Sequence, residues 1–314
     1  MITLESVRRA AAALEGVAVR TPLVPVPADA LAGPPVALKC EQLQPIGAFK
    51  VRGAFTAISR LPEAERARGV VTHSSGNHGQ AVAFVARHFG VRAIIVMPAD
   101  APAVKVEGVR RHGGEVAFVT DRAQRQARCE ELAAEHGMVI IPPYENPDVI
   151  AGQATCGVEI LEQWPEVEAI VVQVGGGGLI AGIASAVRAL KPEAEVIAVE
   201  PAGAPKLARA LEAGHPVRLE RAESIADGLL PFQIGSLPFE VMQGIVHRAV
   251  QVSDAEIRSA VRFLHERVAL DVEPSGAAAF AAVLAGRIDR TGPTVCVVSG
   301  GNVDPDLFQR LVQP

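Results

Sequence analysis

Four consecutive glycines, Gly175 to Gly178, lie between an apolar β-branched run at 170–174 and a helix-like stretch at 179–190. A strand that turns through residues without side chains straight into a helix exposes backbone N–H groups at the positive end of that helix. Such a unit demands an α/β architecture and offers a cradle for an anion, most often a phosphate. The pattern is not isolated. Apolar runs at 36–40, 70–73, 93–97, 115–119, 139–141, 169–174, 196–200, 246–252 and 294–299 alternate with helical periodicity, including 50–60, 77–89, 102–112, 122–136 and 253–268. Near-continuous apolar strands separated by helices predict mainly parallel sheets covered on both faces.

Nine strands are many for one sheet. The four from 70 to 141 form a compact unit bounded by the Pro-rich segment 141–147, so the expected division is a small inserted α/β domain, 53–145, within a discontinuous larger domain, 1–52 and 146–314. Two open sheets would then face each other across a cleft, with ligands beyond the carboxyl ends of the strands.

The phosphate compound is not fixed by the glycines alone. Gly176-x-Gly178-x-x-Ala181, followed by Glu200 at the end of the next apolar run, also satisfies a dinucleotide fingerprint, so a nicotinamide-dependent oxidoreductase is an alternative. Other classes are disfavoured by composition. The net charge is -5 with scattered basic residues, one Trp and one Tyr, which gives neither a phosphate-tracking stripe nor a stacking platform for nucleic acid. No stretch has the length and apolarity of a membrane span, and the N-terminal segment lacks the apolar centre of a signal peptide. Cys40, Cys129, Cys156 and Cys296 form no C-x-x-C pair. They read as reduced core residues in a cytoplasmic protein.

Three further segments carry chemistry. Ser74-Ser75-Gly76-Asn77-His78 joins the strand at 70–73 to a helix, with Asn77 a natural cap, and makes a second anion site furnished with hydroxyls and an amide. Gly47-Ala48-Phe49-Lys50 places an amine at a helix mouth beside an aromatic ring, where desolvation turns lysine into a nucleophile and base. Ser299-Gly300-Gly301-Asn302 ends the last apolar run with a hydroxyl and room for a flat ring against the backbone. A dinucleotide dehydrogenase uses neither the lysine nor a second polar helix start. Pyridoxal 5'-phosphate with an amino acid substrate uses all of them: phosphate on the glycines, Lys50 as the Schiff-base amine, Ser299 at the ring nitrogen, and the substrate carboxylate on 74–78.

These motifs, Ala48-Phe-Lys-Val-Arg-Gly53, His73-Ser-Ser-Gly-Asn-His-Gly-Gln80, Gly175 to Gly178 and Ser299-Gly-Gly-Asn302, resemble in content and order the serine/threonine dehydratase and serine racemase family of fold type II pyridoxal phosphate enzymes. The resemblance spans nearly the whole chain. It implies a tryptophan synthase β-like fold with the cofactor in the interdomain cleft, Phe49 and Lys50 at the cofactor, Asn77 on the ring hydroxyl, and a homodimer. It also implies that Ser75 occupies the position of the racemase base opposite the lysine. A serine at the ring nitrogen holds no proton there as a carboxylate would, which favours loss of a β-substituent over transamination. The expected reaction is dehydration of L-threonine or L-serine to a 2-oxo acid and ammonia, with serine racemisation the alternative in the same site. Many relatives bind a divalent cation in the stretch resembling 200–206. Glu200 and Ala204 fit that pattern, but Lys206 stands where a carboxylate is needed, so no metal is expected and Lys206 is expected to pair with Glu200 instead.

Overall fold

The computed structural model describes residues 2–74, 76–101, 103–121 and 124–313. Ten strands are present among them: Leu23–Pro25 (β1), Val36–Cys40 (β2), Val70–His73 (β3), Ala93–Pro98 (β4), Glu115–Val119 (β5), Val139–Ile140 (β6), Ala169–Gln173 (β7), Glu195–Pro201 (β8), Ala249–Val252 (β9) and Thr294–Val298 (β10). They form a six-stranded sheet in the order β1-β2-β10-β7-β8-β9 and a four-stranded sheet in the order β5-β4-β3-β6. Every pairing is parallel except β1 with β2.

Continuous apolar strands are explained by burial on both faces. In the large sheet, Leu38, Cys40, Val171, Cys296 and Val298 enter one core, while their neighbours Ala37, Ile170, Val172, Val295 and Val297 enter another. The helix Pro274–Leu284 covers the first face, and Pro147–Gln163 with Gly178–Leu190 covers the second. The small sheet repeats the arrangement, with Val70, Ile95 and Met97 on one side and Val71, Ile94 and Val96 on the other. All four cysteines are buried and free.

The carboxyl ends of β3, β7 and β10 lead directly into the 74–78, glycine and 299–302 segments. Between β2 and the helix Lys50–Ser59 lies a short 3-10 turn, Glu41–Leu43. That helix is anchored from beneath. The Arg52 guanidinium, 1% exposed, donates to both oxygens of the fully buried Glu41 at 2.7 and 2.8 Å and to both oxygens of Glu159 at 2.7 and 2.8 Å. Lys39 closes the network through Glu159 at 2.6 Å, Gln163 at 2.9 Å and the Thr21 carbonyl at 2.7 Å.

Candidate active site

Lys50 is the first residue of its helix and is half-buried, with Phe49 immediately before it. Its ammonium donates to the Pro143 carbonyl at 2.9 Å and lies 5.1 Å from the Phe49 ring centroid. With no carboxylate partner among the described residues, burial alone pulls the pKa of this amine down to about 8. Phe49 is held by its N–H, which donates to the Ser299 carbonyl at 3.0 Å, and Ala48 bridges Gly300. The end of β10 is thus stitched to the start of the lysine helix, with the Ser299 residue 5% exposed beside it.

Pro143 is followed by Tyr144, and both lie over the glycine loop. A Cβ on Gly176 would collide with the Tyr144 ring, and one on Gly178 would meet Tyr144 Cβ at 3.0 Å. Gly175 faces the Gly228 carbonyl at 2.9 Å in the same sense, and Gly177 has φ of +98° with Ile234 Cδ1 only 2.6 Å from a Cβ position. These glycines are therefore required by close approach on several sides and by a left-handed backbone at one. Among the described residues, no protein acceptor takes the amide hydrogens of Gly175 to Gly178, or those of Asn77 and His78 at the head of the other helix. Two sets of uncommitted donors at helix N-termini fit a phosphate and a carboxylate. Together with the desolvated lysine, they fit pyridoxal phosphate and an amino acid.

The segment at 74–78 differs in detail from the sequence expectation. Gly76, not Asn77, is the cap, and Asn77 is the first helical residue. The Asn77 amide instead donates to Glu273 Oε1 at 2.5 Å and accepts from the Asn302 amide at 2.8 Å, while Asn302 also donates to the Ile46 carbonyl at 2.8 Å. Glu273 stands at the start of the helix Pro274–Leu284 yet makes no side-chain capping bond. Burial, reinforced by the Asp227 charge and opposed by Lys105 and Asn77, pushes its carboxyl up to about 7. The Ser74 hydroxyl accepts from the Gly76 N–H at 3.2 Å. The buried His78 ring turns to the Ile141 carbonyl, 2.9 Å from Nε2. Burial, followed by the Lys50 charge, pulls its pKa down to about 3, so the ring is neutral and Nε2 donates. Ser75 lies outside the described residues. Phe232 is 41% exposed under the Arg218 guanidinium.

Four participants were not singled out from sequence: Asn302, Tyr144, Lys105 and Asp227. Lys105, from the helix Ala103–Arg111, pairs with Asp227 and lies with Nζ 3.7 Å from the position a Gly76 Cβ would take. Asn302 carried a visible signal as the last residue of the Ser299 motif, and Asp227 a weaker one in the Asp-Gly turn at 227–228.

Glu200 decides the dinucleotide alternative. It is fully buried, Oε1 accepting from the Leu207 N–H at 2.8 Å and Oε2 from the Ala208 N–H at 3.0 Å. Such a carboxylate has no face to present to a ribose.

Comparison with known proteins identifies the family and the fold. Over 99% of its length the chain is 41% identical to an L-threonine ammonia-lyase of Thermotoga maritima, covering 78% of that protein. It is 41% identical to an L-threo-3-hydroxyaspartate ammonia-lyase of a Pseudomonas species over 97% of both chains. The structure of maize serine racemase superimposes with a TM-score of 0.94 at 37% identity, covering 98% of this chain and 96% of that one, and the fold is accordingly that of the fold type II enzymes. With residues 14–300 matching the family as a whole, the chain belongs to the pyridoxal-phosphate dependent enzymes.

Proposed function

We propose that the protein is an ammonia-lyase for small L-3-hydroxy amino acids, with L-threonine and L-serine the first candidates, forming a 2-oxo acid and ammonia. One observation carries the reading: the Lys50 amine, its pKa pulled down to about 8 by burial, sits against the Pro143–Tyr144 segment that covers the glycine loop. Pyridoxal phosphate, when bound, supplies an electron sink that acidifies the Cα–H of the amino acid.

The protein's residues do the rest. The N–H groups of Gly175 to Gly178 hold the phosphate, and Phe49, Asn77 and Ser299 fix the ring. Ser74, Ser75 and the backbone from Gly76 to His78 would receive the substrate carboxylate, with Lys50 the base for the Cα–H. An amine with a pKa near 8 is neutral in a useful fraction of molecules at neutral pH, so Lys50 accepts that proton. Loss of the β-hydroxyl as water, then hydrolysis, completes the reaction. Names of relatives support this substrate class, and maize serine racemase supports serine racemisation as a second reading, with Ser75 the base on the other face. A cytoplasmic homodimer completes the proposal, on family resemblance; no helix among the described residues is long and apolar enough to cross a membrane.

The test is a panel of L-threonine, L-serine and L-threo-3-hydroxyaspartate incubated with cofactor-reconstituted protein, with oxo acid and serine chirality both measured. Oxo acid should form with the wild type and not with Lys50→Ala, whose circular dichroism should be unchanged. No oxo acid from any of the three would refute the lyase reading, and D-serine without oxo acid would establish the racemase.

A further inference from the structure

Lys206 is among the most deeply buried side chains of the described residues, at 0% exposure. Four oxygens surround its nitrogen: the Val174 carbonyl at 2.9 Å, Glu200 Oε1 and the Leu229 carbonyl at 3.1 Å, and the Ala204 carbonyl at 3.2 Å. No donor faces it. Burial pulls its pKa down and Glu200 opposes this. The neighbours settle the charge state: a neutral amine would turn its lone pair on to an oxygen, whereas an ammonium meets acceptors on every side. One carboxylate and three carbonyls are the ligand set a hard cation takes. The divalent cation implied by family resemblance therefore does not fit here, because the ammonium already fills the cage.

The cage has a place in the fold. Val174 immediately precedes Gly175, and Leu229 follows Gly228, whose carbonyl lies against Gly175. Glu200 also satisfies the first N–H groups of the helix Lys206–Ala213. One ammonium thus ties the entry of the phosphate-binding loop to the turn packed on it.

We propose that Lys206 is a built-in cation that braces the glycine loop, making the protein's cofactor affinity and stability independent of divalent metal. It is a positioning residue, since it acts on the phosphate site only through the Val174 and Leu229 carbonyls. The corollary is that replacing the ammonium by a carboxylate opens a metal site: Lys206→Asp supplies a second acidic ligand to the same three carbonyls.

The experiment reads melting temperature and cofactor dissociation constant, neither of which requires turnover. Wild-type holoenzyme treated with a chelator and then titrated with magnesium, calcium or manganese chloride should show no change in either quantity. Lys206→Asp should melt lower in chelator and regain about 5 °C or more on saturation with at least one of these ions. Lys206→Met, which keeps the aliphatic stem without the charge, should bind pyridoxal phosphate at least about tenfold more weakly and respond to no metal. A wild type that loses cofactor on chelation and recovers it with metal overturns the proposal. So does a Lys206→Asp protein indifferent to all three ions, or a Lys206→Met protein that holds cofactor as the wild type does. If Lys206→Asp does not fold, the wild-type and Lys206→Met measurements decide.

Discussion

Replacing Arg52 by methionine removes the guanidinium while keeping an unbranched apolar stem, and the structure sets the scale of the consequence. Glu41 is fully buried and receives two hydrogen bonds from Arg52. Burial alone would push its carboxyl up; the Arg52 charge and hydrogen bonds outweigh that and hold it below the ordinary carboxylate range. Without Arg52, Glu41 keeps only the Thr21 hydroxyl at 2.6 Å, the Gln44 amide at 3.1 Å and the more distant Lys39 charge. Glu159 retains Lys39. Breaking a buried pair by deleting one partner costs about 3–5 kcal/mol. With a urea m-value of about 3 kcal/mol/M, the unfolding midpoint should fall by about 1–1.7 M.

The pH dependence carries a definite sign. In the wild type the depressed Glu41 carboxyl contributes stability above its unfolded pKa, and this is lost as pH falls through the folded value. In Arg52→Met burial dominates and the folded pKa rises, so the ionised carboxylate costs stability at neutral pH and protonation relieves it. The gap between variant and wild type should narrow on acidification. Adding Glu41→Gln to Arg52→Met should cost less than the two single changes together, with a coupling towards the upper end of about 0.5–3 kcal/mol. A loss below about 1 kcal/mol, or a gap that widens in acid, would refute the view that this network anchors the lysine helix.

Two further outcomes are expected. Gly177→Ala forces a Cβ into a left-handed backbone against Ile234 and Pro238; it should cost about 1–3 kcal/mol in unfolding and weaken pyridoxal phosphate binding, and an unchanged dissociation constant would exclude a phosphate role for the loop. Glu273, raised to about 7, makes the cofactor-free protein lose stability as pH climbs from about 4.3 to about 7, by at most about 4 kcal/mol. Glu273→Gln should flatten that slope in a melting series, and a slope identical to wild type would assign the effect elsewhere.

Much of this architecture was legible because strands buried on both faces leave unbroken apolar runs, and because glycines at strand ends cannot be substituted without collision. β1 escaped notice for a physical reason. It has three residues, ends in proline and lies at a sheet edge, where neither alternation nor length marks it. The helix Pro147–Gln163 did carry a readable start, Asn146 capping and Pro147 at its first position, but the Pro-rich segment 141–147 read as a boundary instead. Asn77 illustrates the limit of local reasoning. Capping was the best local use of its amide, yet Glu273 and Asn302, nearly two hundred and more residues away, claim it. Tyr144, Lys105 and Asp227 likewise acquire meaning only through neighbours brought in by the tertiary fold. Lys206 was the reverse case, a charge whose partner Glu200 lies six residues away.

The place of β10 in the large sheet has a consequence for biosynthesis. The strand made last, near the C-terminus, slots between two made much earlier, β2 and β7. A growing polypeptide on the ribosome therefore carries an open seam beside β2 until the residues of β10 have emerged, and the lysine helix lacks its Ser299 and Gly300 fastening throughout that interval. Such late, long-range closure slows folding and leaves unpaired edges prone to association, so a chain cut short before residue 294 should be a client for chaperones rather than a weak enzyme.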